Sequence, residues 1–208
     1  MNATTQAPLD GRSARWAQHR EQRRAELLDV ARHLIHDRGP DVTMEDIAAA
    51  SGTSKSIVYR YFSDKAQLQQ ELGRSILATM HRRLLQELQD LEADGATPGA
   101  PERIHAMIRA YVETAERSPG VYRFIIRPSD GLNHFLDSVS RLIATFLPDS
   151  VPAPQMWAHG AVGFVEGAVD AWMTQQEAHA SDPTTPPPLD ADDVVTHLTS
   201  WLMKGMHP

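Results

Sequence analysis

The sequence predicts an all-α protein of about nine helices, with an N-terminal three-helix unit followed by a C-terminal helical bundle. Two observations lead to this fold class. Apolar residues recur at spacings of three and four through most of the 208 residues, which is the period of one face of an α-helix. No segment alternates apolar and polar residues as a half-buried strand does. Gly, Pro and Ser positions that favour helix ends separate the apolar stripes.

A polar N-terminal arm and one helix come first along the chain. Residues 1–15 are polar, include Pro and Gly, and are predicted to form a flexible basic arm. Helix 1 is predicted from about Trp16 to about Arg38, where Gly39 and Pro40 stop it. Its apolar stripe consists of Leu27, Val30, Ala31, Leu34 and Ile35.

Two short helices follow helix 1. Thr43 and Asp46 have the spacing of a capping box, with Asp in place of the usual Glu, so helix 2 begins after Thr43. Helix 2 is predicted to end at Ser51-Gly52. Ser54 is the predicted N-cap of helix 3, which ends near Phe62.

The other helices are longer or belong to the C-terminal bundle. Ser63 is the predicted cap of helix 4, whose apolar stripe continues to about Ala93. Four prolines within residues 181–188 indicate a linker before the last helix. Helices 5 to 9 are predicted around residues 104–112, 118–126, 135–146, 155–179 and 190–206, respectively.

Composition narrows the classes of function. The chain has no cysteine, which excludes disulfides, thiolate metal sites and cysteine nucleophiles. No apolar run is long enough to cross a membrane and residues 1–20 hold no signal-peptide core, so we expect a cytoplasmic protein. The net charge of −7 argues against nucleic-acid binding, but residues 1–65 hold ten basic and nine acidic residues. The acidic excess therefore lies in the rest of the chain.

Neither a metal site nor an active site is indicated. The ten histidines include no pair at four-residue spacing with a carboxylate partner. The chain lacks a glycine-rich phosphate loop, a GxSxG segment and an HExxH segment. Glu166 and Asp170 share one predicted helix face, but no further catalytic group accompanies them. We expect no catalytic residue, no metal and no cofactor.

The segment of residues 43–68 carries the functional signal. It predicts two short helices that meet at a tight turn, where Gly52 supplies the backbone freedom. The small Ala48 allows close approach, and Ile47 and Val58 face inward. This is the pattern of a helix-turn-helix, whose second helix enters the major groove of DNA. An ordinary helical hairpin within a bundle remains the alternative.

The same segment resembles the tetracycline-repressor (TetR) family of transcription regulators. The matching positions are Thr43, Ile47, Ala48, Gly52, Ser54, Lys55, Tyr59, Tyr61, Phe62 and Lys65. The resemblance covers roughly residues 20–70. The chain departs from the family at Ser51, where Ala is usual, at Ile57, where Thr is frequent, and at Tyr61, where His is frequent. Ile57 cannot form a hydrogen bond, and packing on a thymine methyl is the contact left to it.

The resemblance implies a homodimer that binds double-stranded operator DNA and a small-molecule effector. It implies a helix-turn-helix domain over residues 16–65 and a ligand-binding and dimerisation domain over residues 66–208. Phe62 is expected in the core. The implied contacts to bases and phosphates are Thr43, Ser54, Lys55, Ser56, Ile57, Tyr59, Tyr61 and Lys65.

Helices 8 and 9 are the predicted dimer interface. Small residues at spacings of three and four on helix 8 allow a second helix to approach closely, and helix 9 carries an apolar stripe. The alternative is that the small residues serve close packing within one subunit. The predicted interface residues are Gly160, Gly163, Gly167, Val194, Leu198 and Trp201.

The effector site is expected among helices 4 to 8. Its candidate residues are Met107, Tyr111, Tyr122, Phe124, Phe146, Trp157, Phe164 and Trp172. Residues 118–126 are similar to fatty-acid-responsive actinobacterial members of the family, which implies an apolar, acyl effector. The expected function is a repressor released from a palindromic operator by a largely apolar effector. A ligand-dependent activator, or a helical enzyme or carrier that does not bind DNA, are the alternatives.

Overall fold

The computed structural model describes residues 11–93, 95, 97–128, 130–145, 147 and 151–205. Within these residues the chain forms nine α-helices and no strand, as the sequence predicts. No helix of the described part is long and apolar enough to cross a membrane. The helices are α1 (Gly11–Arg38), α2 (Met44–Ala50), α3 (Lys55–Tyr61), α4 (Lys65–Ala93), α5 (Ala100–Arg117), α6 (Pro119–Ile125), α7 (Asp130–Ala144), α8 (Pro154–Ser181) and α9 (Ala191–Gly205).

Helix α1 begins earlier than predicted. It starts at Gly11 instead of about Trp16, so the last residues of the predicted flexible arm are helical. Gly disfavours a helix interior but is tolerated at its first position, where its cost is small. Residues 1–10 of the predicted arm, and Met206 at the predicted end of α9, lie outside the described residues.

Local hydrogen bonds account for the start of α2. The Asp46 backbone N–H donates to Thr43 Oγ1 at 3.1 Å, and the Thr43 N–H donates to Asp46 Oδ2 at 2.8 Å. The predicted capping box is therefore confirmed. Gly52 in the following turn has φ +63°, a left-handed conformation that other residues rarely adopt.

The caps of α3 and α4 differ from the prediction in detail. Ser54 occupies the N-cap position of α3, but its hydroxyl pairs with Ser56 Oγ at 3.0 Å instead of capping the backbone. Helix α4 is capped by Asp64, whose Oδ1 accepts from the Gln67 N–H at 2.7 Å, and not by Ser63. The Ser63 N–H instead donates to Gln67 Oε1 at 2.6 Å, because Ser63 lies one residue outside the cap.

The N-terminal core continues into the C-terminal helices. Val58 of α3 and Phe62 after it are completely buried, and Phe62 is a core residue as expected. Leu68 and Leu72 of α4 and Phe124 of α6 belong to the same apolar cluster. The domain boundary predicted between residues 65 and 66 therefore crosses one continuous core.

Helix α6 is fixed between the two halves of the chain. Gln69 of α4 is buried, and its Nε2 donates to the carbonyl oxygens of Phe124, Ile125 and Arg127 at 2.7–3.0 Å. These carbonyls are at the C-terminal end of α6, where helix geometry leaves them without internal partners. At the other end, His36 Nδ1 lies 2.8 Å from Ser118 Oγ. Helix α6 is thus tied to both α1 and α4.

A second core joins α5, α8 and α9. Val194, Val195 and Leu198 of α9 pack against the apolar face of α5 and are buried within the chain. Trp172 of α8 is buried in the same cluster, and its Nε1–H donates to the Leu189 carbonyl at 2.8 Å. This bond fixes the segment before α9 to α8.

Candidate nucleic-acid interface and effector cavity

Helix α3 is attached to the protein by one face only. Val58 is completely buried, and Ile47 of α2 packs in the same cluster. The opposite face exposes Lys55, Ser56 and Tyr59. A short helix with its polar face open is the arrangement that can enter a major groove.

Lys55 forms an ion pair with Glu45 across the α2–α3 angle. Hydrogen bonding to Glu45 raises the Lys55 pKa, and the same contact lowers the Glu45 pKa. Both side chains are more than half exposed, so solvent screens the pair and its energy is small. Lys55 Nζ also lies 5.6 Å from the centre of the Tyr59 ring. Duplex phosphates or base edges can compete with Glu45 for this cation.

Lys65 lies inward in this structure. Its Nζ donates to the Pro40 carbonyl at 3.4 Å and lies 5.4 Å from the centre of the Phe124 ring. Burial, with Arg127 nearby, lowers the Lys65 pKa. The side chain connects the start of α4 to the α1–α2 loop, and contact with a phosphate requires it to swing outward.

The predicted DNA-contact residues lie on one connected surface of α2, α3 and the start of α4. Ile57, Tyr61 and Lys65 are half-buried, and Tyr61 packs against the N-terminal core. The remaining predicted contacts are exposed, namely Thr43, Ser54, Lys55, Ser56 and Tyr59. The sequence analysis did not include Arg60, which is exposed in the last turn of α3 with its guanidinium 5.6 Å from the centre of the Tyr61 ring.

A mainly apolar cavity lies among α4, α5, α7 and α8. It is partly open to solvent, and about 770 Å³ of space between atoms lies within it when the solvent at its mouth is included. Leu77, Met80 and Leu84 of α4 form one wall. The other apolar lining residues are Ile104, Met107, Ile108, Ala110, Leu136, Val139, Leu142, Ile143, Trp157, Ala161, Val162, Val165 and Leu202.

Four lining residues carry polar side-chain atoms, namely His81, Tyr111, Glu166 and, through its indole N–H, Trp157. Burial raises the Glu166 pKa, and the neighbouring Asp170 raises it further. The Tyr111 ring meets the Tyr122 ring edge-on, with centres 5.9 Å apart. The two hydroxyls are close enough to influence each other, yet neither has a hydrogen-bond partner of acceptable geometry among the described residues. Burial raises the pKa of both phenols.

Comparison with known proteins identifies the chain. The model of the family described as bacterial regulatory proteins, tetR family, matches residues 27–72. An uncharacterised HTH-type transcriptional regulator of Mycobacterium tuberculosis is 32% identical over 207 residues, which cover 92% of this chain and 81% of the relative. The chain belongs to the TetR family. This TetR-family protein is therefore a DNA-binding transcriptional regulator of the helix-turn-helix type.

Other relatives agree with this assignment. The HTH-type transcriptional regulator BetI of Agrobacterium fabrum is 30% identical over 161 residues, which cover 70% of this chain and 74% of BetI. The crystal structure of FadR from Thermus thermophilus, a TetR-family repressor in complex with lauroyl-CoA, shares the fold with a TM-score of 0.64. It is 16% identical to this regulator, and the match covers 89% of this chain and 95% of that one.

Some of the predicted effector residues line the cavity of the regulator and others do not. Met107, Tyr111 and Trp157 line it. Tyr122 lies behind Tyr111, in contact with its ring but outside the lining. Phe146 lies outside the described residues.

The other three predicted aromatic residues lie outside the lining of this cavity. Phe124 is buried in the N-terminal core next to Lys65, because α6 turns this residue towards α1 and α4. Trp172 is buried against α9 with its indole N–H already bonded. Phe164 is on the opposite face of α8, exposed, with its ring edge-on to Trp201. Apolar spacing did not distinguish these environments.

The predicted dimer residues divide into two groups. Gly160, Gly163 and Gly167 are exposed, and a Cβ atom added at any of them would have no neighbouring atom within 4 Å among the described residues, apart from the local helix backbone. Close packing within the subunit, the alternative explanation, is therefore absent at these glycines. Trp201 is also exposed. Val194 and Leu198 are instead buried against α5 in their own chain, so their side chains do not face outward.

The sequence analysis missed two cavity residues. His81 lies on the α4 stripe, one residue after Met80, and Glu166 interrupts the apolar face of α8. The sequence signal for each was a polar residue within an apolar helix face. That signal does not show which neighbouring helices, or which cavity, the polar side chain faces.

Proposed function

We propose that the regulator is a repressor that leaves its operator when a small, largely apolar molecule occupies the cavity behind α4. The observation that carries the proposal is that α4 joins the two sites. Leu68 and Leu72 at its start pack in the core of the DNA-binding helices, and Leu77 and Leu84 further along line the cavity. A molecule that displaces α4 therefore changes the position of α3.

Helix α6 supports the same coupling. Its end is held by three hydrogen bonds from Gln69, and Arg127 after it pairs with Asp41 at 2.7 Å in the α1–α2 loop. Tyr122 of α6 contacts Tyr111 at the cavity wall. The effector must bind the DNA-incompetent arrangement more tightly than the competent one, since otherwise it shifts no population.

The proposed DNA partner is a palindromic duplex read by two copies of α3. Lys55, Ser56 and Ile57 approach base edges, and Tyr59 and Lys65 approach phosphates. Thr43, Ser54 and Tyr61 complete the proposed contact surface. Two recognition helices of a dimer read half-sites about one turn of DNA apart.

The proposed dimer interface is the exposed glycine face of α8 together with Phe164 and Trp201. The three glycines leave the helix backbone open to close approach by a second helix. The two aromatic rings, whose centres are 6.1 Å apart, present apolar surface beside it. Aromatic residues of this kind are enriched at protein interfaces.

Footprinting of the full-length protein on the DNA upstream of its own gene tests the DNA-binding surface. We expect protection of an inverted repeat by the wild type and loss of protection by Lys55→Ala combined with Tyr59→Phe. Arg117→Ala, which removes an exposed positive charge from α5, is the matched control and should bind as the wild type does. Equal protection by the double variant would contradict the proposed contact surface.

Transcript measurement tests the direction of control. Deletion of the gene should raise transcripts from the protected promoter. A fall in these transcripts would instead identify an activator on the same scaffold.

A further inference from the structure

The cavity wall contains an acid that has no partner. Glu166 forms no hydrogen bond or ion pair with any residue that the structure describes, although it lies among apolar lining residues of α8. Its neighbours on that wall are Ala161, Val162 and Val165. An ionised carboxylate without a partner in such surroundings is costly, because the apolar walls replace the water that would stabilise it.

The surroundings of Glu166 add negative charge and provide no cation for it. Asp170 follows one turn later on α8 and raises the Glu166 pKa. Arg123 is the cation on the neighbouring α6, but it is engaged by Glu177 at 2.8 Å and by Asp170 at 3.3 Å. His81 of α4 is the other ionisable lining side chain apart from Tyr111. No described lining residue is Lys or Arg, and the nearby Arg123 is already paired.

Two further polar atoms lie close to this acid. The hydroxyls of Tyr111 and Tyr122 are buried and have no hydrogen-bond partner among the described residues. The negative charges of Glu166 and Asp170 contribute to raising the pKa of both phenols. Buried hydroxyls normally have partners, so the hydroxyl of Tyr111, the member of the pair that lines the cavity, indicates a position that a polar group of a ligand can occupy.

We propose that the cavity binds a lipophilic amine, whose ammonium group pairs with Glu166 and whose hydrocarbon part fills the space between α4, α5, α7 and α8. The ammonium supplies a positive charge for Glu166, and its N–H groups can donate to the carboxylate and to the Tyr111 oxygen. The apolar lining accommodates the chain. This inference rests on the proposed function, because it names the chemistry of the molecule that occupies the proposed effector site.

The same geometry disfavours an anionic head group at this end of the cavity. A carboxylate beside Glu166 and Asp170 meets like charges, and no described lining residue is Lys or Arg. The proposal therefore differs from the acyl effector that the resemblance to fatty-acid-responsive members implies.

Titration of the full-length protein with matched probes tests the proposal. The probes are dodecylamine, dodecanol and dodecanoate below their micelle-forming concentrations, with lauroyl-CoA as a second anion, and binding is measured by calorimetry. We expect dodecylamine to bind at least about tenfold more tightly than either anion. Tighter binding of dodecanoate or lauroyl-CoA than of the amine would overturn the proposal.

A pair of charge-neutralising variants locates the amine. Glu166→Gln should weaken dodecylamine binding about tenfold and leave dodecanol binding unchanged, because it removes the carboxylate and keeps the shape. Glu116→Gln removes an exposed carboxylate on α5 and should change neither dodecylamine binding nor dodecanol binding. Thermal melting confirms that each variant is folded. An unchanged amine affinity in folded Glu166→Gln would overturn the assignment to Glu166.

The binding assay contains no DNA, so it separates this proposal from the proposed function. Amine binding that weakens operator binding supports both. Amine binding that leaves operator affinity unchanged supports the ligand class and contradicts the repressor mechanism.

Discussion

At the scale of single residues, Lys55, the cation in the first turn of α3, is already paired in the free protein. Lys55 pairs with Glu45, which is on α2 of the same helix-turn-helix. A base or phosphate contact by Lys55 must therefore replace this pair. Glu45 also places a negative charge beside the proposed DNA-contact surface. It therefore opposes DNA binding both by occupying Lys55 and by repelling the phosphates.

Glu45→Gln should increase DNA affinity by about two- to fivefold at low salt, because it frees Lys55 and removes a repulsive charge. Lys55→Ala should lower affinity about tenfold or more and relax base preference at one operator position. Gel-shift titrations at two salt concentrations measure both changes, with Glu116→Gln as the control. Weaker binding by Glu45→Gln would show that the pair orders α3 for DNA instead of competing with it.

A second prediction at this scale concerns the pH dependence of stability. Burial raises the Glu166 pKa, so the folded chain holds this proton more tightly than the unfolded chain does. The stabilising contribution of the protonated acid is lost as the pH rises through the raised pKa. Asp170, Tyr111, Tyr122 and His81 surround the group and remain in the variant.

Glu166→Gln should therefore raise Tm near neutral pH, by about a degree or two because the side chain is partly exposed. The increase should shrink as the pH falls below the raised pKa, since both side chains are then uncharged. Calorimetric melting across this pH range checks the trend. An increase in Tm at acid pH that equals or exceeds the increase at neutral pH would contradict the burial of the Glu166 carboxylate.

At the scale of elements, the contact between α6 and α1 is too close for any side chain. A Cβ atom at Gly120 would lie 2.5 Å from the Ile35 carbonyl oxygen and 3.2 Å from Gly39 Cα, both of which are backbone atoms. Neither neighbour can turn away as a flexible side chain can. The glycine therefore fixes how closely α6 approaches the DNA-binding helices.

Gly120→Ala should destabilise the fold by about 1–3 kcal/mol, as overpacking against a rigid neighbour does. Glu116→Ala, at an exposed position of α5 away from the proposed dimer face, is the control, because Ala favours a helix and the side chain it replaces is exposed. Urea unfolding should show a loss of stability for Gly120→Ala and little change for the control. A neutral Gly120→Ala would mean that α6 shifts freely, and it would remove α6 as a coupling element.

The sequence predicted elements well wherever the signal was local. The Thr43–Asp46 capping box and the order of the nine described helices follow from spacings within a few residues. Ser63 and Asp64 are both competent caps, and the three-dimensional path of the turn decides between them. The start of α1 was missed because Gly11 indicates a loop unless the residues beyond it continue the helix.

The site was predicted less completely because its residues come from different helices. Helical periodicity shows that Phe124, Phe164 and Trp172 belong to apolar faces, but not which neighbour each face meets. The structure puts them respectively in the N-terminal core, on the open face of α8 and against α9. Glu166 could be recognised as a cavity acid only after α4, α5 and α7 were placed around α8.

At the scale of the whole molecule, reading a palindrome requires two copies held at a fixed distance. The exposed glycines of α8 are the proposed contact that holds them, since they have no packing role within the chain. In the proposed mechanism, effector binding changes the distance between the two α3 helices of a dimer. A monomer has one α3 helix and therefore no such distance to change. Under the proposed function, dimerisation and control of DNA binding would therefore depend on the same face of α8.

Gly163→Trp tests this dependence without disturbing the subunit. The added side chain enters open space in the monomer but blocks close approach of a second α8. We expect a monomer by light scattering, an unchanged far-ultraviolet spectrum, and operator affinity at least about a hundredfold lower, because the second half-site no longer adds to binding. Glu116→Trp, an equally bulky change at an exposed position of α5, should remain dimeric and bind normally. A dimeric Gly163→Trp protein with full operator affinity would place the interface on another face of the molecule.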